Sequence, residues 1–138
     1  MARFLLDTNH LGLVVDPRTI VSQRLYEQRA EGDIFGTCTP VLCELEVGIQ
    51  QVARPDEYRR ALNHLLRTVR IWPIERDTAL LYGQMYLDLK RQGRVLSAVD
   101  LMVAALAKQM NATVLSTDRD FEALKGIRVS NWQTTGGI

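Results

Sequence analysis

Hydrophobic residues in this chain follow two kinds of pattern. Short apolar runs bounded by polar or turn-forming residues occur at Arg3–Asp7, Ile34–Thr37, Ile71–Ile74, Thr113–Ser116 and Ile127–Val129, and such runs read as buried strands. Between them, apolar positions recur at helical spacing. Asp16-Pro17 sets a capping acid before a proline and predicts a helix running to about Glu31. Thr39-Pro40 repeats that device at the head of TPVLCELEVGIQQV, where Leu42, Leu45, Ile49 and Val52 form one stripe. The period is clearest over 56–69, with Tyr58, Ala61, Leu62, Leu65, Leu66 and Val69 in step. A further helix is predicted over 76–92, ended by Gly93, and another from a Ser97 cap to Met110. This alternation predicts an α/β fold with a mainly parallel sheet covered on both faces. It does not reveal the strand order.

Composition narrows the class without changing that picture. A chain of 138 residues, 46% hydrophobic and 24% charged, suits one soluble domain with a sizeable core. That domain is expected over residues 1–133, with TTGGI at 134–138 as a frayed tail. No apolar run approaches the roughly 20 residues that span a bilayer. The run that follows Arg3 is cut short by Asp7, unlike a signal peptide, so a cytoplasmic location and no membrane contact are expected. The net charge of +1, from 17 basic and 16 acidic residues, gives no general attraction to polyanions. Any nucleic-acid contact must come from local patches or a metal. Cys38 and Cys43, with only His10 and His64 to join them, match no common zinc spacing and are expected to be buried, reduced thiols.

The acids carry the candidate chemistry. Ligands of open α/β sheets sit beyond the carboxyl ends of strands, and Asp7 and Asp118 each follow a predicted strand. Each serves equally well as an N-cap for the helix after it. Asp100 lies at the third position of a helix begun by Ser97, which reads as a capping box. Glu44 sits early in an apolar helix between Cys43 and Leu45. Positions of this kind gather at one edge of a doubly wound sheet. Carboxylates brought together repel, and a hard divalent cation such as Mg²⁺ or Mn²⁺ is the usual remedy. Scarce His and Cys argue against zinc, and no P-loop, G-x-G-x-x-G or Ser-His-Asp pattern is present.

LLDTN near the N-terminus, ELEVG and DLMVAALA in helices, and STDRDF after a late strand together resemble the PIN-domain ribonucleases, most nearly the VapC-type toxins of bacterial toxin–antitoxin pairs. The resemblance spans nearly the whole chain, in order. It implies a three-layer α/β/α sandwich and an acidic pocket for Mg²⁺ or Mn²⁺, filled here by Asp7, Glu44, Asp100 and Asp118. Asn9 matches a polar residue two after the first acid, and Ser116 keeps a hydroxyl where Thr is more usual. Asp120 matches a frequent extra acid that either binds metal or caps a helix. The resemblance further implies a homodimer and a cognate antitoxin, for which apolar positions on the helices at 17–31 and 40–53 offer surfaces.

The implied reaction is metal-dependent endoribonucleolytic hydrolysis, in which a cation held by carboxylates acidifies water and neutralises phosphate charge. Single-stranded or looped RNA is the expected substrate. Arg59, Arg60, Arg67, Arg70, Lys90, Arg91 and Arg94 lie on exposed helix faces, and Arg119, beside Asp118, is the candidate phosphate contact. The alternative is a non-catalytic PIN-like module that binds RNA or protein, which would normally have lost one of the acids. A haloacid dehalogenase would need a second acid where Asn9 stands, and a structure-specific DNA nuclease would need more basic elements than this length holds.

Overall fold

In the computed structural model, which describes residues 1–133, five strands form one fully parallel sheet. They are β1 (Arg3–Leu6), β2 (Ile34–Thr37), β3 (Arg70–Ile71), β4 (Thr113–Leu115) and β5 (Val129–Ser130), in the order β3-β2-β1-β4-β5. Six helices flank the sheet: α1 (Thr8–Val15), α2 (Ile20–Ala30), α3 (Thr39–Ile49), α4 (Pro55–Leu65), α5 (Arg76–Arg91) and α6 (Ala98–Met110). The chain winds outward from β1 through β2 to β3, then crosses back to β4 beside β1. Right-handed crossovers in opposite directions assign α1–α4 to one face and α5–α6 to the other. The strand order therefore reverses between β1 and β4, the crevice where doubly wound sheets bind ligands.

The core explains why the central elements are so apolar. Leu5 and Leu6 of β1, and Val114 and Leu115 of β4, have no exposed surface. Helix α6 packs on β1, β4 and α5, which buries Leu101, Val103, Ala104, Ala105, Leu106 and Ala107 on nearly every side. Truncating one such leucine to alanine costs about 2–5 kcal/mol. Gly36 in β2 is required by contact: a Cβ there would lie 2.4 Å from a Trp72 ring carbon. Gly93, at φ +69°, ends α5 in the left-handed conformation, as its position predicts.

Three local expectations need correction. Asp16-Pro17 does not open a helix; Asp16 ends α1, its carboxylate accepts from the Arg18 backbone N–H at 2.9 Å, and Thr19 caps α2. An additional helix, α1, fills the stretch between Asp7 and Asp16. Only Cys38 is buried, its thiol pushed up to about 11 chiefly by desolvation, while Cys43 is exposed. The helix predicted over 56–69 ends at Leu65, though Val69 still packs in the core. The TTGGI segment lies outside the described residues. Among the described residues no helix is long and apolar enough to cross a membrane.

Candidate active site

The reversal point sets Asp7 and Ser116 side by side. Asp7 follows β1 directly, and its backbone N–H extends the ladder to the Leu115 carbonyl at 3.0 Å. Ser116 follows β4 and continues pairing to the Ser130 carbonyl at 3.1 Å. The Ser116 hydroxyl donates to Asp7 Oδ2 at 2.8 Å and accepts from the Asp118 backbone N–H at 3.0 Å. One hydroxyl thus fixes the first acid and the loop that bears the last.

Asp7 is 4% exposed, yet its side chain makes no capping bond into α1. Burial pushes its carboxyl above the ordinary range, with the charges of Glu44 and Asp118 adding to the push. Bonds from Ser116 and the Thr8 backbone hold it back only in part. Asp7 holds the N-cap position of α1, but its carboxylate makes no cap bond and accepts from the Ser116 hydroxyl instead, so capping does not account for its burial.

Asp100 joins from the first turn of α6. Its backbone N–H donates to Ser97 Oγ at 3.1 Å, which is the Ser97 half of the predicted capping box. The Asp100 carboxyl is pushed up to about 6, mainly by burial and then by the charge of Asp7, with Asp118 and Glu44 contributing. Glu44, on α3, is exposed, and its Oε1 accepts from the Thr8 hydroxyl at 2.7 Å. At the carboxyl edge of the sheet the charges of the other three predicted acids therefore bear on Asp100, and those of Glu44 and Asp118 on Asp7. Among the described residues no salt bridge reaches any of them.

Ligand atoms of Asp100, Asp118 and Asp120 lie within 4.8 Å of one another, a spacing fit for one metal ion. Asp7 and Glu44 stand outside that set, in contact with it electrostatically. Asp118 is also a genuine cap: its Oδ1 accepts from the Asp120 backbone N–H at 2.9 Å and opens the 3-10 turn Arg119–Ala123. The two readings of Asp118 are compatible, because one oxygen caps while the other is left for a ligand.

Asn9 Oδ1 accepts from the Thr117 backbone N–H at 3.1 Å, tying α1 to the loop after β4. Arg119 is exposed, with its Nε 3.7 Å from Glu122. Arg59 pairs with Glu46, and Arg91 with Asp88. Arg60, Arg67 and Arg70 are exposed. Thr8, which holds Glu44, escapes a sequence reading; its only signal there is its place directly after the strand-end acid. Beside Glu44 runs an open, mostly apolar groove walled by Pro40, Val47, Pro73, Ile74, Val99 and Met102.

The model of the PIN domain matches residues 4–127. Ribonuclease VapC2 of Rickettsia felis is 22% identical over 130 residues, covering 94% of this chain and 97% of its own. The tRNA(fMet)-specific endonuclease VapC of Salmonella typhimurium is 23% identical over 133 residues, covering 96% and 99%. Among solved structures, the fold matches that in VapBC2 from Rickettsia felis bound to a promoter DNA fragment, with a TM-score of 0.84, 21% identity, and 94% and 98% of the two chains covered. With the sheet order, the acidic edge and that match in agreement, the chain belongs to the PIN-domain family.

Proposed function

We propose that this protein is a metal-dependent endoribonuclease that hydrolyses RNA phosphodiester bonds, and the toxin of a type II toxin–antitoxin pair. The observation that carries this reading is the meeting of Asp7, Glu44, Asp100 and Asp118, from separate parts of the chain, with no salt bridge to any of them among the described residues. The relatives named ribonuclease and tRNA(fMet)-specific endonuclease support it.

The donor set is all carboxylate oxygen, closely spaced at Asp100, Asp118 and Asp120, and fits Mg²⁺ or Mn²⁺ better than a softer metal. Asp100, Asp118 and Asp120, whose ligand atoms lie together, would hold the ion, and Asp7 and Glu44, outside that set, would join it directly or through water. Such an ion supplies a more acidic water and neutralises charge that builds on the phosphate. Ser116 fixes Asp7 Oδ2, and Thr8 holds Glu44 Oε1 so that Oε2 is left to accept a proton or orient a water. Arg119, exposed beside Asp118, would meet a flanking phosphate. The apolar groove beside Glu44 suits an unstacked base of single-stranded or looped RNA.

The VapBC complex with promoter DNA supports a cognate antitoxin partner for this chain too. Exposed apolar side chains would offer a homodimer surface: Val47 on α3, within the nominated 40–53 helix, and Leu80, Tyr86 and Leu87 on α5, outside the nominated helices. Residues 1–133 would act as one domain, in the cytoplasm.

The test is cleavage of a panel of structured RNAs, tRNAs included, by the purified protein. Cleavage is expected with Mg²⁺ or Mn²⁺ and lost with EDTA or in Asp100→Asn. Equal cleavage under all these conditions would overturn the metal reading.

A further inference from the structure

His10 is wholly buried, three residues after Asp7, and the proposed reaction does not use it. Its ring is nevertheless wired at both nitrogens. The Trp132 backbone N–H donates to Nε2 at 3.0 Å, and Nδ1 lies 2.9 Å from Asn9 Oδ1. A backbone N–H can only donate, so Nε2 must be the unprotonated acceptor and Nδ1 must carry the proton. Asn9 is settled by the same logic: its Oδ1 accepts from the Thr117 backbone N–H, so it faces both donors. With Oδ1 committed twice, only the Nδ2 amide of Asn9 remains for a substrate or water. Trp132 is itself pinned. Its ring packs 5.0 Å from Phe4 and 5.7 Å from Phe35, with the Arg24 guanidinium 4.3 Å over its face.

We propose that His10 is a positioning residue for the reaction: anchored by the Trp132 backbone, it donates from Nδ1 to Asn9 and so presents the Asn9 Nδ2 amide at the acidic edge. This rests on the ribonuclease reading above. It makes the C-terminal segment part of the site, although Trp132 contributes only a main-chain donor. A neutral ring is in keeping with burial, which pushes His10 down to about 4.

Two variants separate positioning from packing. His10→Asn sets an amide nitrogen near the Nδ1 position and keeps the donor to Asn9. His10→Gln reaches the Nε2 position and keeps only an acceptor for Trp132. The expected kcat of His10→Asn is within about threefold of wild type, and His10→Gln loses roughly tenfold with KM nearly unchanged, at similar melting temperatures. In an Asn9→Ala background the His10→Gln loss disappears, since the two residues act as a unit. Equal losses in both variants, no loss in His10→Gln, or a loss that multiplies with Asn9→Ala would each overturn the proposal.

Two NMR readouts do not depend on activity. The wild-type His10 ring should show the neutral Nδ1–H tautomer, and the Asn9 side-chain amide signals should move in His10→Gln but not in His10→Asn. The other tautomer, or Asn9 signals indifferent to His10→Gln, overturns the positioning itself. A wild-type protein that cleaves no RNA overturns the ribonuclease reading and the catalytic half of this proposal, and leaves the positioning to be decided by these signals.

Discussion

The two ends of the sheet treat charge in opposite ways. At the amino end three charged side chains, Arg3, Asp33 and Arg128, are held by hydrogen bonds. Arg3 donates to the Met110 carbonyl at 3.0 Å, Arg128 donates to the Asn111 carbonyl and side chain at 3.0 Å each, and the Ala2 N–H donates to Asp33 at 2.8 Å. At the carboxyl end, Asp7 and Asp100 are desolvated and set among other carboxylates without a counter-charge. Carboxylate oxygens within 4.8 Å of each other repel by roughly 1–3 kcal/mol per pair, depending on the water between them. A fold selected for stability alone would not keep that arrangement. One end holds the chain together, and the other is left under electrostatic strain that a bound cation would relieve.

The strongest way to break this contrast is Asp7→Asn. Asparagine keeps an acceptor for the Ser116 hydroxyl but removes a charge that is 4% exposed. RNA cleavage should fall by at least about a hundredfold, in line with the loss of a metal ligand. Without metal, the melting temperature should hold or rise. A variant that melts well below wild type would mean that the Asp7 charge is structural.

Next comes the pH dependence of Asp100. Its folded carboxyl, pushed up to about 6, binds a proton more tightly than in the unfolded chain. The folded state therefore gains stability from Asp100 protonation as pH falls through 6, and the ionised group weakens the fold above it. His10 works the other way, since its depressed folded value removes stability as pH falls from about 6.5 towards 4. The net curve mixes the two, so the difference between wild type and Asp100→Asn is the clean quantity. Without metal, Asp100→Asn should melt higher at pH 7.5, with the gain gone near pH 4. Added Mn²⁺ at a hundred times its dissociation constant should stabilise wild type by about 2.7 kcal/mol at pH 7.5 and much less below pH 6. A gain independent of pH would detach Asp100 from the site.

Much of this contrast is legible in the sequence, and the exceptions have physical causes. Four of the five short apolar runs locate their strands to within two residues, because buried parallel strands need continuous hydrophobic surface; the run Ile71–Ile74 overshoots the exposed β3, which ends at Ile71. Pro73 cuts β3 short, a proline lacking the N–H that a ladder needs. Helix α1 is illegible because Thr8–Val15 carries Gly12 and the β-branched Val14 and Val15; packing against α2, α3 and α4 forms it, not propensity. Asp16-Pro17 misleads because an aspartate can bond its own neighbours' backbone in a turn as readily as it caps a helix. The acids of the site could be nominated because strand ends and first helical turns converge in this topology. Strand order was hidden, so the link between Asp7 and Ser116, 109 residues apart, could not be read. The role of His10 was hidden for the same reason: its partner Trp132 lies 122 residues away.

A smaller effect tests the double duty of Asp118. Its Oδ1 accepts from the Asp120 N–H, so Asp118→Asn keeps the cap and removes the charge, whereas Asp118→Ala removes both. Without metal, the asparagine variant should be as stable as wild type or more so, and the alanine variant should lie about 1 kcal/mol below the asparagine one. Both should lose RNA cleavage. Equal stability of the two would show that the cap contributes nothing, and full activity in Asp118→Asn would remove the residue from the site.

The smallest effect sits at the opposite end of the sheet. Arg128 is exposed, and its guanidinium bonds the Asn111 carbonyl and side chain at the left-handed end of α6, with Nε reaching Thr113 Oγ1 at 3.3 Å. These bonds tie the approach to β5 onto the turn between α6 and β4. Water competes for each of them, so Arg128→Ala should lose only about 0.5–1.5 kcal/mol in denaturant unfolding. Arg128→Lys, with one point charge in place of a fork, should recover part of that loss. RNA cleavage at temperatures well below melting should stay within twofold of wild type in both variants. A fall in cleavage without a matching fall in stability would mean that the amino end reaches the acids through β4, and the two ends could no longer be treated as separate.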